Sequence, residues 1–141
     1  MLIDANLLVF AVHEQSPFHV KARDWLNDQL NGEQRIGIPW QSLGAFLRII
    51  TNQRIIERAL DPGSAWQRVE DWLTEELVWT PAPTPLHAHV LGGLVERHQA
   101  RGNLVPDAQL AALAIEHGLA VCSADTDFAR FTEVRWINPL A

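Results

Sequence analysis

Short apolar runs alternate along the chain with longer segments in which apolar residues recur every three or four positions, and polar or proline-bearing breaks separate the two. Leu2-Ile3 predicts a strand ending at Asp4, and the apolar run from Leu7 to Val12 predicts the opening turns of a helix. Ser16-Pro17 is a helix-start signal, Ser as N-cap and Pro at the first helical position, for a helix running to about Leu30 and stopped by Gly32. Ile36-Gly37-Ile38-Pro39 predicts a second strand closed by its proline. From Gln41 to Thr51 the residues Leu43, Phe46, Leu47 and Ile50 form one apolar helix face. Asp61-Pro62 repeats the cap-plus-proline signal, and Ala65, Trp66, Val69 and Leu73 supply the stripe of the helix that follows. Leu77-Val78-Trp79 predicts a brief strand, and Pro81 to Pro85 a stiff connection. Beyond it come a helix over Leu86 to Gln99, a turn at Arg101-Gly102-Asn103 and an alanine-rich helix over Asp107 to His117 ended by Gly118. Ala120 to Ser123 and Arg135-Trp136-Ile137 predict the last two strands.

Strands separated by helices of ten or more residues imply a parallel sheet covered on both faces. The expected fold class is therefore α/β, a three-layer α/β/α sandwich with a central, mainly parallel sheet, in a single domain spanning residues 1–141. Sites in such sheets lie outside the carboxyl ends of the strands. Composition sharpens this by exclusion. With 48% hydrophobic and 20% charged residues, 8 Gly and 8 Pro, neither disorder nor a fibrous class fits. No apolar run is long enough for a membrane span, and the immediate start on Leu2-Ile3-Asp4 leaves no room for a signal peptide, so a cytoplasmic protein is expected. The one cysteine, Cys122, supplies neither an internal disulfide nor a cysteine zinc site. A net charge of -6 argues at first against nucleic acid, since the overall basic field that gives phosphate affinity is missing.

The placement of the acids changes that picture. Asp4 ends the first strand, Asp107 opens the alanine-rich helix, and Asp125 and Asp127 follow the strand at Ala120 to Ser123. Asp107 and Asp127, taken singly, are equally well explained as helix caps. Asp4 is not, because a charge at the end of a buried parallel strand costs free energy unless it is paired or metal-bound. Four carboxylates on one sheet edge repel, and a divalent cation relieves that repulsion. Oxygen-only ligands select a hard ion, Mg²⁺ or Mn²⁺, over zinc, and such an ion promotes phosphodiester hydrolysis.

In these contexts the chain resembles a known family. The opening Leu2-Ile3-Asp4-Ala5-Asn6-Leu7-Leu8, the segment Gly102-Asn103-Leu104-Val105-Pro106-Asp107-Ala108, and Ser123-Ala124-Asp125-Thr126-Asp127-Phe128 resemble, in order and over nearly the whole chain, the PIN-domain ribonucleases. More closely they resemble the VapC toxins of bacterial toxin-antitoxin pairs, and the ending Arg135-Trp136-Ile137-Asn138-Pro139 is similar to a mycobacterial or actinobacterial branch. The resemblance implies a PIN-like fold, a Mg²⁺-dependent endoribonuclease with Mn²⁺ as a possible substitute, a homodimer, an RNA substrate, and a cognate VapB-type antitoxin that occludes the site. By position, Asp4, Asp107 and Asp125 match the catalytic, metal-holding acids, Asp127 an additional metal-site acid, and Asn6 and Ser123 polar residues that orient the site.

One departure stands out. The family usually carries Glu, two apolar residues and Arg on the helix after the second strand, and Ala45-Phe46-Leu47-Arg48 puts Ala in place of the acid. Three consequences remain open: a one-metal site of three or four Asp with water completing the shell, which is favoured; replacement of the Glu by Gln41 or Glu14; or an RNA- or antitoxin-binding protein of little or no catalytic activity. Other enzyme classes have less support. Receiver domains and haloacid-type phosphatases need a lysine after a late strand, and the only lysine is Lys21; no phosphate-binding glycine loop or nucleophile-elbow serine is present.

The histidines at 13, 19, 87, 89, 98 and 117 lack zinc-protease spacing, and Cys122 reads as a small core residue. Arg48, Arg97 and Arg101 are candidates for RNA phosphates, the last two because their turn leads into Asp107. Of six tryptophans, Trp66 and Trp136 suit core positions, while Trp25, Trp40, Trp72 and Trp79 are expected to be partly exposed; Trp25 and Trp72 are the candidates for a partner-binding face between the helices that begin at Ser16 and Asp61.

Overall fold

The computed structural model describes residues 1–141. Its elements, in chain order, are β1 (Leu2–Ile3), α1 (Ala5–Val12), α2 (His19–Leu30), β2 (Ile36–Gly37), α3 (Trp40–Ile50), α4 (Pro62–Thr74), β3 (Val78–Trp79), α5 (His87–His98), α6 (Leu104–His117), β4 (Val121–Cys122), a 3-10 turn (Thr126–Arg130) and β5 (Trp136–Ile137). The five strands form one sheet in the order β3-β2-β1-β4-β5, and every neighbouring pair is parallel. Leu2 pairs with Val121 and Ile3 with Cys122, so the next residues, Asp4 and Ser123, leave the sheet side by side.

Alternation along the strands divides the core in two. Ile3, Ile36, Ile38 and Cys122 join Leu7, Leu8, Leu26, Leu43, Phe46, Val69 and Trp72 beneath α1 to α4. Leu2 and Val121 face the other way, onto Leu94, Ala108, Leu110, Ala111, Ala114, Phe128 and Phe131 beneath α5, α6 and the 3-10 turn. This is the expected α/β/α sandwich. Gly37 in β2 has a packing reason: a Cβ there would lie 2.9 Å from Pro81 Cγ and 3.1 Å from Leu2 Cδ1.

Three local expectations are revised. Ser16 does not cap α2; its Oγ accepts from Phe18 N (3.1 Å) in a turn, and the helix starts at His19. α6 starts at Leu104, three residues before Asp107, because a proline in the first helical turn removes only an N–H that has no intrahelical partner. On α4 the buried stripe is Ala65, Val69 and Trp72, so Trp66, placed in the core from sequence, is 42% exposed with its Nε1 donating to Glu70 Oε1 (2.9 Å). The Asp61 cap is as expected, its carboxylate accepting from Ser64 N (3.1 Å) and Ser64 Oγ (2.6 Å).

Candidate functional site

The chain passes from β1 outward to β2 and β3, then returns to lay β4 on the opposite side of β1. The boundary between β1 and β4 is the topological switch point of the sheet, where the connections diverge and open a crevice above the carboxyl ends. Asp4 sits there as the N-cap of α1, its Oδ1 accepting from Ala5 N (2.8 Å). Its Oδ2 accepts from Ser123 Oγ (2.7 Å) and, at 3.4 Å, from Asn6 Nδ2.

Ser123, fully buried, ties the two strand ends together. Its oxygen accepts from Asn6 Nδ2 (3.0 Å) and Asp125 N (2.9 Å), both pure donors, so its proton goes to Asp4. Asn6 Oδ1 accepts from Ala124 N (3.3 Å), which fixes the orientation of that amide. Asp125 caps the 3-10 turn by accepting from Asp127 N (2.9 Å). Asp107 stands in the first turn of α6 and caps nothing; the N-cap position belongs to Asn103.

Carboxylate oxygens of Asp107, Asp125 and Asp127 lie within 4.8 Å of one another. Asp4 is beside this trio rather than in it: its oxygens are engaged by Ala5, Ser123 and Asn6, and it lines with Asp107 a cavity of about 450 Å³. The ion pairs of the molecule, Arg23–Asp24, His87–Glu116 and the pairs of Arg97 and His98 with Glu133, leave all four acids without a cation. The electrostatic consequence falls on Asp107. Burial, then the charges of Asp125 and Asp4, push its carboxyl up to about 7. Asp4 is also raised, by burial first and Asp125 in addition, against the hydrogen bonds from Ser123 and Ala5 that lower it. Carboxylates gathered in this way, without a cation and offering only oxygen ligands, fit a hard divalent cation.

The cavity also explains the departure on α3. Ala45 lines it together with Gln41 and Arg48, so a methyl group stands where an acid would reach the same space. Gln41 donates through Nε2 to Pro106 O (2.8 Å), bracing the first turn of α6, and Glu14 lines a different cleft on the far side of α1. Among the candidate RNA contacts, Arg48 lines the acidic cavity, whereas Arg97 is engaged with Glu133 through Nε (3.0 Å) and Nη2 (2.9 Å) and Arg101 is exposed outside the cavity lining. Trp72 is corrected: it is 7% exposed, packs edge-on against Phe46 with centroids 4.8 Å apart, and belongs to the core. It does floor a cleft of about 250 Å³ between α2 and α4 that His19, Arg23, Leu26 and Arg68 line. Trp25 is half-buried against the same core. Cys122 is buried and its thiol pushed up to about 11 by that burial, the character of a packing residue. Trp40, expected to be partly exposed, is 55% exposed at the start of α3, and it lines the acidic cavity together with Gln109, a residue no sequence signal singled out.

Comparison with known proteins agrees with this geometry. The profile of the PIN domain family matches residues 1–134. The chain is 39% identical to Ribonuclease VapC37 of Mycobacterium tuberculosis over 140 residues, covering 99% of this chain and 97% of the relative. It is 38% identical to Ribonuclease VapC33 of the same species over 137 residues, covering 97% and 96%. Among solved structures it superposes on M. tuberculosis VapC20, described as a sarcin-ricin loop cleaving toxin, with a TM-score of 0.68 at 16% identity, covering 95% of this chain and 98% of that one. VapBC2 from Rickettsia felis bound to a promoter DNA fragment gives a TM-score of 0.67 at 14% identity, covering 97% and 96%, and at such identities the likeness speaks for the fold. With an acidic site at the switch point of an all-parallel sheet and relatives this similar along the whole chain, the protein belongs to the PIN-domain family, in its VapC ribonuclease branch.

Proposed function

We propose that this protein is a Mg²⁺-dependent endoribonuclease, with Mn²⁺ able to substitute, acting as the cytoplasmic toxin of a toxin-antitoxin pair, as a homodimer silenced by a VapB-type antitoxin. The observation that carries the reading is the gathering of Asp107, Asp125 and Asp127 within 4.8 Å of one another, beside Asp4 and without any cation, in a chain of this family. Asp107, Asp125 and Asp127 would hold the ion, with Asp4 a fourth carboxylate beside them and Ala45 leaving room for water where an acid is missing. The chemistry a bound divalent ion supplies there is charge stabilisation on a phosphodiester and acidification of a water.

The chain's own residues do the rest. Ser123 and Asn6 fix the Asp4 carboxylate and the start of the Asp125 turn, so the acids are presented in one geometry. Arg48, on the cavity wall, provides a guanidinium for a substrate phosphate. The test is cleavage of single-stranded RNA by the purified protein. Cleavage appears with Mg²⁺ or Mn²⁺, disappears in excess EDTA, and falls by at least about 100-fold in Asp107→Asn, the order expected for removing a ligand or transition-state charge stabiliser. Metal-independent cleavage, or full activity in Asp107→Asn, contradicts the reading.

A further inference from the structure

The acidic cavity does not end at Asp4 and Asp107. Trp40, Gln41 and Gln109 line it and also line a second cavity, of about 260 Å³, whose other walls are Pro39, Pro81, Ala82, Pro83, His87 and Leu113. In sheet order the acids stand above β1 and β4, while this second cavity stands above β2 and β3, whose carboxyl ends lead into Pro39 and Pro81. One continuous groove therefore follows the carboxyl edge of the sheet, charged at one end and apolar with an indole at the other. The apolar end is rigidly built. His117 Nε2 bonds Ala82 O (2.7 Å), Thr84 N and Oγ1 both donate to Glu116 Oε1 (2.9 and 2.7 Å), and Gln41 is tied to Pro106 O.

Its polar atoms are directed and free. The buried Glu116 carboxylate is held below the usual range by the hydrogen bonds of His87 and Thr84 against the opposing effect of burial, so it is ionised and His87 Nδ1 carries the proton facing it. His87 Nε2 has no partner within the chain, and neither has the Gln109 amide. Trp40 is 55% exposed where the two cavities meet, so its indole is open to stacking from the groove.

Resting on the proposed RNA cleavage, we infer that this apolar end is a nucleobase subsite: a base of the substrate strand, adjacent to the phosphate bound at the acids, stacks on Trp40 and is read at its edge by Gln109 and His87. The chemistry matches single-stranded RNA, whose splayed bases stack on aromatic faces and hydrogen-bond through their edges. Stacking also compensates for the phosphate affinity an acidic protein lacks, because it does not depend on phosphate charge.

The probe is a labelled, mixed-sequence 12-nucleotide RNA, with binding read by anisotropy in Ca²⁺ buffer and cleavage followed separately in Mg²⁺. Trp40→Ala weakens binding about tenfold, the order of one base-aromatic stack, while Trp40→Phe stays near the parent and both keep the parent melting temperature. Gln109→Ala leaves most of the affinity but alters the preference among homopolymers of A, C, G and U. If the parent cleaves RNA and Trp40→Ala binds it as tightly as the parent, the subsite is overturned and the ribonuclease reading stands. If the parent binds RNA without cleaving it and Trp40→Ala still weakens binding, the subsite stands and the ribonuclease reading falls. A parent that neither binds nor cleaves RNA overturns both, and unchanged RNA affinity with loss of a protein partner reassigns the groove to that partner.

Discussion

Asp107 is the residue on which the account turns, because its environment is costly while it is charged. Its carboxyl is raised from 3.8 to about 7, so in the metal-free protein the folded state keeps a proton that the unfolded chain has already released. Between these values the folded form binds more protons than the unfolded one, and stability falls as pH rises, levelling off above about 7. Asp61, Glu116 and Glu133 are shifted downward and act in the opposite sense, but below the usual carboxylate range. Metal-free melting temperature is therefore expected to decline from about pH 5 to pH 7, with a smaller decline in Asp107→Asn, and apparent metal affinity to rise over the same interval as the ion displaces the proton. The tryptophans give a second contrast at this scale. Trp72→Ala opens a hole beside Phe46 and costs about 3–5 kcal/mol, whereas Trp66→Ala removes an exposed ring and costs about 0.5 kcal/mol or less; denaturant unfolding of the two variants checks the ranking. The four Asp, Asn6 and Ser123 were legible through motif order and family resemblance. The meeting of Trp40, Gln109 and His87 in one groove was not, since no local pattern says that residues from α3, α5 and α6 line the same cavity.

At the scale of elements, the strands were easier to find than to bound. Each is two residues long, and Ile36-Gly37-Ile38-Pro39 was recognisable because apolar residues bracketed by turn formers have few alternatives. α6 begins three residues before the start its sequence predicts, because Pro106 reads as a boundary although the first turn tolerates proline. The α4 stripe slipped by one position because Trp66 and Val69 share a spacing of three that points partly outward, and only packing against Phe46 selects Trp72. Gly37 offers a direct test of how tightly the sheet is closed. Its missing Cβ is matched by Pro81 and Leu2, so Gly37→Ala is expected to destabilise by about 1–3 kcal/mol through overpacking. Because Pro81 also walls the base groove, the same variant is expected to disturb RNA binding more than metal binding, read by anisotropy and by metal titration.

For the whole molecule, the α/β/α class followed from alternating strands and helices, but the strand order β3-β2-β1-β4-β5 did not, because short strands carry no pairing signal. That order is what brings residues 4 and 123 together and makes one site of acids dispersed over 124 positions of sequence. It also revises the meaning of the charge. Of the 17 acidic residues, Asp107, Asp125 and Asp127 with Asp4 beside them stand at this one edge, and the formal balance of the other 13 acids against 11 basic residues is only -2, so much of the acidic excess is a local property. The proposed RNA binding is then expected to depend on the ion, on Arg48 and on the stacking groove rather than on a basic surface. The most direct test of this is a Mn²⁺ titration of the metal-free protein, read by the loss of the free-ion electron paramagnetic signal. Saturable binding of about one ion per chain is expected, displaced by Mg²⁺ and lost in Asp125→Asn while that variant remains folded. Absence of saturable binding, or binding unchanged in both Asp125→Asn and Asp107→Asn, would contradict it.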